Sequence, residues 1–576
     1  MERAALASQT GRKSKEDFFQ GASTEEVIGF SAIWKEVAPR SQAGKRKKSQ
    51  ARPRFPGEEA ELRDELSFLK AVTDNWRERP GPYSKLLAVL EGLKDPVEAL
   101  DRAKAGAVLT PAELFLIGNL AWSSRQAREA LLETGLNWPA RFEIPDLKTI
   151  EKEIFPGAAS QLSFYVHDSY SPELARIRQE RKRKERDWRN IMAEEASRVE
   201  KVLGRRPGLH EEIAIRLTQK DLIEKARLMP ELGETRETLT HVHFRLKATQ
   251  EAVKLEREIA RLRQKEAQAE EKVRAILSRK IAERASDLER ALHALGEIDF
   301  LLARAAVCMD WPGVVPEIAD GPVPLKLEGA WHPLVKEEVE SRGGRFQPVS
   351  ITLTSPVTVV TGPNMGGKTV TLATVGLSVA LAQWGMLVPA SEMSFSLYDF
   401  VYFSSQPEEK PGLSSFAVEI VGIKGALARR KERGLLLLDE MGSGTNPAQG
   451  LALYAALLTY LASPENSACR VLATTHYGGL SALTGADHWQ VRGLVSEGLD
   501  LSFFAGANGK EALEEGMKWL YEHMDYRLTR VSPDAPVPHD ALLVSRLLGL
   551  DREIVEAAEA IIAGRFRRLP EREERP

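Results

Sequence analysis

Apolar residues along the chain fall into three textures. From Glu58 to about Pro156 they recur at helical spacing, interrupted near 79–83 and 137–145, and Thr110-Pro111-Ala112-Glu113 has the form of a helix start. Ser171-Pro172-Glu173 opens a longer, highly charged helix reaching about Leu203. A second long helix is predicted from about Gln250 to about Val307, where Leu255, Ile259, Leu262, Val273, Leu277 and Ile281 keep the three-and-four spacing of a packed seam. Between the two, residues 240–246 alternate apolar and polar, as a strand does. From about Pro312 short apolar runs alternate with turns and helices, the texture of an α/β domain, and helical character returns from Pro538 to Gly564. The apolar stretch from Val370 to Leu387 is broken by Thr, Ser, Gln, Trp and Gly, which predicts a buried helix rather than a membrane span.

These textures divide the 576 residues into a flexible, partly basic segment (1–57), a helical N-terminal region (58–165), a long-helix lever or core region (166–311), an α/β domain (312–537), a C-terminal helical element (538–566) and a charged tail (567–576). Lys45, Arg46, Lys47, Lys48, Arg52 and Arg54 have no acid among them, so this stretch is expected to repel itself and stay mobile, as a linker or an electrostatic arm. The basic residues between 176 and 186 are interspersed with acids and read as a solvated helix face. His241 and His243 share a strand face, but two histidines without neighbouring Cys or carboxylate ligands make a poor metal site.

Charge sharpens the picture only locally. With 80 basic and 83 acidic residues, net −3, the whole chain does not advertise nucleic-acid binding, so any such site must be a patch. Cys308 and Cys469 are too few for a disulfide framework or a four-ligand zinc site. The opening residues have no apolar run of the signal-peptide kind, so no membrane partner and a cytoplasmic location are expected.

The chemistry concentrates in the α/β region. Gly362-Pro363-Asn364-Met365-Gly366-Gly367-Lys368-Thr369 follows a β-rich run (357–361) and precedes a helical one, which is GxxxxGK[ST] in the context that gives it meaning. Backbone N–H groups there converge on phosphate at a helix N-terminus, Lys368 neutralises the β- and γ-phosphates of ATP, and the Thr369 hydroxyl is offered to Mg²⁺. The apolar run 435–438 ends in Asp439 and Glu440, a metal-holding carboxylate and a group to activate or orient water. A further strand ends at His476, placed to sense the γ-phosphate.

Taken in order, TGPNMGGKT (361–369), GLSSFAVE (412–419), LLLLDEMGSGTNPAQG (435–450) and ATTHY (473–477) resemble the ATPase core of the MutS family. The resemblance extends to AWHPL (330–334), to DSYSPELARIR (168–178) and to 543–558, leaving the first 150 residues unassigned. It implies a P-loop ATPase domain of the MutS/ABC type, preceded by all-α levers and followed by a helix-turn-helix dimerisation element. It also implies a head-to-head dimer, either a homodimer or a heterodimer with a related subunit. In such a dimer Ser414, in the signature loop, reaches the partner's nucleotide, Gly442 to Pro447 face that interface, and His476 acts as the switch histidine.

Asn446-Pro447 stands where mismatch-repair members usually have Ser-Thr, closer to the family's short Smr-bearing branch, although too little sequence follows Gly564 for an Smr domain to be expected within it. None of the 19 phenylalanines is followed two positions later by Glu, so the family's mismatch wedge is not expected. Two functions stay open: an ATP-driven dimer clamping DNA without mismatch specificity, or a reactivase ATPase for an adenosylcobalamin-dependent lysine or ornithine aminomutase.

Overall fold

Residues 13–21, 23–156, 164–207, 212–363, 366–404, 415–442, 445–494, 523–536, 542, 544–545 and 550–562 are described by the structure, a computed structural model. Among the described residues a one-turn helix (Lys15–Phe18) leads into a short strand β1 (Phe19–Gln20), and after the short helices Thr24–Val27 and Phe30–Glu36 comes helix α1 (Gln42–Gln50). Helices Glu59–Glu78, Pro80–Gly92, Val97–Lys104 and Pro111–Thr134 follow. The start at Thr110 is as the sequence predicts: its hydroxyl accepts from Glu113 N–H and the Glu113 carboxylate returns to the Thr110 backbone, a capping box.

Helix α2 (Pro172–Leu203) leads to strands β2 (Glu212–Arg216), β3 (Leu232–Glu237) and β4 (His241–Leu246), and the chain returns along α3 (Gln250–Glu283) before α4 (Ala285–Met309). The predicted strand at 240–246 is β4, the centre of a three-stranded antiparallel sheet, β2-β4-β3, whose two outer strands lie in a region the resemblance implies to be all-α. Ile213, Ile215, Val242 and Phe244 alternate inward to form its small core. The predicted single helix to Val307 is two, broken at Arg284.

α2 and α3, each about 50 Å long, run antiparallel and are joined by ion pairs. Arg178 meets Glu266 at 2.9 Å and Glu270 at 2.5 Å, Arg181 meets Glu266 at 2.6 Å, and Lys184 meets Glu258 at 2.8 Å. The basic run at 176–186 is therefore only partly a solvated face, since Arg178 and Arg181 turn toward the neighbouring helix.

The basic stretch 45–54 is not a mobile arm. Four of its six charges pair with acids: Arg46 with Asp95 at 2.6 Å and Lys47 with Glu297 at 2.8 Å, both far along the chain, and Arg54 with Glu65 at 3.0 Å and Arg52 with Glu58, both nearer. Asp299, buried in α4, accepts from the backbone N–H groups of Arg40 (3.0 Å) and Ser41 (2.7 Å) and from the Ser41 hydroxyl (2.6 Å), which pins the start of α1.

Beyond α4, strands β5 (Glu317–Ile318), β6 (Leu325–Ala330), β7 (Val349–Leu353) and β9 (Glu392–Phe395) form a four-stranded sheet ordered β5-β9-β6-β7. The remaining strands are β8 (Val357–Thr361), β10 (Phe400–Ser404), β11 (Gly434–Asp439), β12 (Arg470–Thr475), β13 (Asp487–Leu494) and β14 (Met524–Val531), interleaved with helices α5 (Lys368–Gln383), α6 (Ser415–Ala428) and α7 (Pro447–Ala462). With β1 they build a seven-stranded sheet, β1-β10-β11-β12-β8-β13-β14, parallel except for β14. Covered on both faces, its central strands are continuous apolar runs: all five residues of β8 and of β10 are buried. α5 is buried along almost its whole length, as the stretch after Thr369 predicts, and among the described residues no helix is long and apolar enough to cross a membrane.

The N-terminal segment is the edge of this sheet. Phe19 pairs with Val401 and Gln20 with Tyr402, and Thr24 Oγ1 accepts from Phe403 N–H at 3.1 Å. Phe19, Phe30 and Trp34 cluster on Trp384, just past the end of α5. His332 of the AWHPL motif is buried with Nε2 3.1 Å from the Ile28 carbonyl, and burial lowers its pKa, so the neutral ring donates there. Of the predicted C-terminal element, residues 552–562 are helical; much of 538–566 lies outside the described residues.

Candidate functional site

Parallel pairing brings the predicted chemistry to one edge. In register, Thr361 of β8 stands beside Thr475 of β12, Thr474 beside Asp439 of β11, and Leu438 beside Ser404 of β10. The carboxyl ends of four adjacent strands thus open onto the start of α5, the usual place for a ligand in an open α/β sheet.

Gly367 caps α5 with φ +73°, a left-handed conformation, and a Cβ there would stand 3.1 Å from the Tyr526 ring of β14. Asn364 and Met365 lie outside the described residues; Gly362, Pro363, Gly366 and Gly367 are within them. Lys368 is 95% buried, its ammonium donating to the Gly362 and Pro363 carbonyls at 3.0 and 2.9 Å and pairing with Glu440 at 2.9 Å. Thr369 Oγ1 donates to Asp439 Oδ2 at 2.7 Å. His476, partly exposed, places Nδ1 3.8 Å from Glu440 Oε2. Lys368, Thr369, Asp439, Glu440 and His476 are therefore together. Ser414, Ser443 and Gly444 lie outside the described residues.

Four residues whose roles the sequence did not single out complete the arrangement. Thr474 Oγ1 lies 2.6 Å from Asp439 Oδ1 and accepts from Glu440 N–H at 3.1 Å. Ser404 Oγ accepts from Asp439 N–H at 2.8 Å. Buried Tyr454 of α7 donates to the Leu438 carbonyl at 3.1 Å, and burial holds its hydroxyl far above the ordinary pKa, so it stays a donor. Glu419, the last residue of GLSSFAVE, accepts from Gly442 N–H at 3.1 Å; burial raises its pKa and that N–H offsets part of the rise. Gly442 itself has φ +85° and a Cβ there would stand 3.1 Å from Gly450 Cα, so the loop after the two acids closes tightly onto α7.

Between β14 and the segment before β7, a cavity of about 510 Å³ is lined by Arg345, Phe346, Gln347, Asp525 and Arg527 among others. Gln347 fixes its wall, donating to Met524 O and accepting from Tyr526 N–H, each at 2.8 Å.

Thr369 and Asp439 form a pair of hard oxygen donors adjoining the lysine, the type of set that suits Mg²⁺ beside a phosphate. Among the described residues no group of three or more His, Cys, Asp or Glu could hold a metal by itself.

Residues 358–495, from β8 through β13, match MutS domain V. The chain is 29% identical over 413 residues to endonuclease MutS2 of Pelotomaculum thermopropionicum, covering 68% of this chain and 49% of the relative. With endonuclease MutS2 of Geobacillus thermodenitrificans it shares 29% over 498 residues, 82% of this chain and 57% of the relative. With that of Caldanaerobacter subterraneus it shares 32% over 320 residues, 54% and 36%. The chain thus spans about half the length of the curated relatives it matches. The domain V match begins in the P-loop strand and ends beyond the histidine strand, and the similarity to MutS2 proteins extends well outside it.

Proposed function

We propose that the chain is a Mg²⁺-dependent ATPase that acts on DNA, of the repair or recombination type and without mismatch specificity, and that it works as a dimer. The observation that carries the reading is the hydrogen-bonded cluster in which Lys368 meets Glu440 and Thr369 meets Asp439 at one edge of a parallel sheet. Thr369 and Asp439 would hold Mg²⁺, which supplies charge neutralisation between phosphate oxygens. Lys368 binds the β- and γ-phosphates, the Gly-rich turn presents backbone N–H groups, and Glu440 orients the attacking water and accepts its proton. His476, within reach of Glu440, reports the state of the γ-phosphate. In the dimer, Ser414 acts on the partner's nucleotide, and the C-terminal element contributes to the contact between subunits.

The name shared by the relatives, an endonuclease and so a protein acting on nucleic acid, supports the DNA-directed reading over the aminomutase one. Phosphate release and nucleotide binding by the wild type, Lys368→Ala and Glu440→Ala test the reading. Lys368→Ala should weaken binding, and Glu440→Ala should bind and fail to turn over. DNA affinity should fall steeply with salt and be equal for homoduplex and a G·T mismatch. Equal turnover in all three proteins, or a clear mismatch preference, would refute it.

A further inference from the structure

We propose that Thr474 is a positioning residue for hydrolysis: its single hydroxyl, shared between Asp439 and Glu440, sets the metal-holding carboxylate and the water-orienting carboxylate in fixed relation to each other. The inference rests on the ATPase reading above.

Two neighbouring residues of an extended strand point to opposite faces. Asp439 and Glu440 nevertheless reach neighbouring residues at the start of α5, Asp439 touching Thr369 and Glu440 touching Lys368. The backbone achieves this by leaving the β conformation: Glu440 has φ +45° and is the only non-glycine residue with positive φ among those described. A left-handed glutamate is uncommon and persists where its surroundings hold it.

Thr474 is what holds it. The residue is fully buried at the end of β12, in register with Asp439. Its carbonyl and its hydroxyl both receive the Glu440 N–H, at 3.2 and 3.1 Å. A hydroxyl has one proton and two lone pairs, so Thr474 can accept from Glu440 and still donate to Asp439 Oδ1 at 2.6 Å. The Leu438 carbonyl, at 3.5 Å, is too distant to compete for the proton. Ser404 provides a contrast, since its hydroxyl holds Asp439 N–H and has no bond to Glu440. Thr474 therefore binds both acids, one by its side chain and one by its backbone.

The test compares wild type with Thr474→Ser, Thr474→Val and Thr474→Ala, the alanine variant standing in should valine not fold, as judged by melting temperature. Phosphate release is measured against ATP and against Mg²⁺, and binding of a fluorescent ATP analogue is measured in EDTA and in Mg²⁺. Hydrogen bonds to charged groups predict turnover lower by on the order of ten- to a hundredfold without the hydroxyl. The Mg²⁺ concentration for half-maximal rate should rise, analogue binding in EDTA should stay near wild type, and Thr474→Ser should restore both rate and Mg²⁺ response. Wild-type turnover and Mg²⁺ dependence in the hydroxyl-free variants overturn the inference, as does a serine variant as impaired as the valine one. Should the wild type release no phosphate, the ATPase reading falls, and the inference is decided by Mg²⁺-dependent analogue binding, which the hydroxyl-free variants must weaken.

Discussion

Replacing Glu65 by Gln tests how the helical N-terminal region is fastened to the nucleotide domain. Glu65 receives Arg304 at 2.5 Å on one oxygen and Arg54 at 3.0 Å on the other, and Arg304 also donates to the Gly385 carbonyl, just past α5, at 3.1 Å. Burial alone would raise the Glu65 carboxyl, but the two guanidiniums outweigh it and hold the pKa at about 2 against an ordinary 4.5. At 1.36 kcal/mol per pH unit the ionised carboxylate contributes about 3 kcal/mol at neutral pH. That lies within the roughly 3–5 kcal/mol expected when one partner of a buried ion pair is removed. Because the folded pKa is depressed, the contribution is complete above pH 4.5 and is lost as pH falls toward 2. Glu65→Gln should therefore be less stable than wild type by about 3 kcal/mol at pH 7 and by about half of that near pH 3. Denaturant unfolding followed by tryptophan fluorescence, to which Trp384 in the same pocket as Glu65 and Arg304 contributes, reads the transition. A difference below about 1 kcal/mol at pH 7, or one that does not shrink in acid, would refute the reasoning.

Asp299→Asn probes the pin on α1 with the opposite sign. Burial raises the Asp299 carboxyl despite the bonds from Ser41 and Arg40, so its share of stability is greatest below the ordinary Asp range and is lost as pH rises through the raised value. The asparagine variant should show a flatter pH–stability curve just above about pH 4, and an unchanged curve would count against the pin. Completion of the site across a dimer predicts that Ser414→Ala chains mixed with Lys368→Ala chains regain activity, because one composite site pairs an intact P-loop with an intact serine. Verified heterodimers without activity would reject the shared site.

That Lys368, Thr369, Asp439, Glu440 and His476 come together is legible in the sequence because the information is local. Gly362 to Thr369 and the run 435–440 combine a buried strand with polar residues at its carboxyl end, and parallel pairing then brings those ends together. The basic stretch 45–54 was read as mobile for a reason equally physical: within its own window it has no counter-charge. Its acids include Asp95 and Glu297, which only the folded chain brings within 2.6 and 2.8 Å. In the same way, the strand-like 240–246 gave no sign that β2 and β3 would flank it, because each has short, charge-rich sequence of ambiguous period. The break at Arg284 falls inside an uninterrupted apolar seam, with no Gly or Pro to announce it.

The same limit explains why the fittings of the site escaped a motif reading although their letters were in view. Thr474 lies within ATTHY, but its importance comes from facing Asp439 across two strands and from the left-handed turn at Glu440, neither of which a one-dimensional pattern carries. Thr24 is further removed: it accepts from Phe403 N–H, the adjoining Ser404 accepts from Asp439 N–H, and Asp439 accepts from Thr369. Three hydrogen bonds and one peptide link thus lead from the helical turn after the N-terminal edge strand to Thr369 in the first turn of the P-loop helix. A segment unassigned by resemblance is, in the folded chain, part of what supports Asp439, the carboxylate proposed to hold the metal.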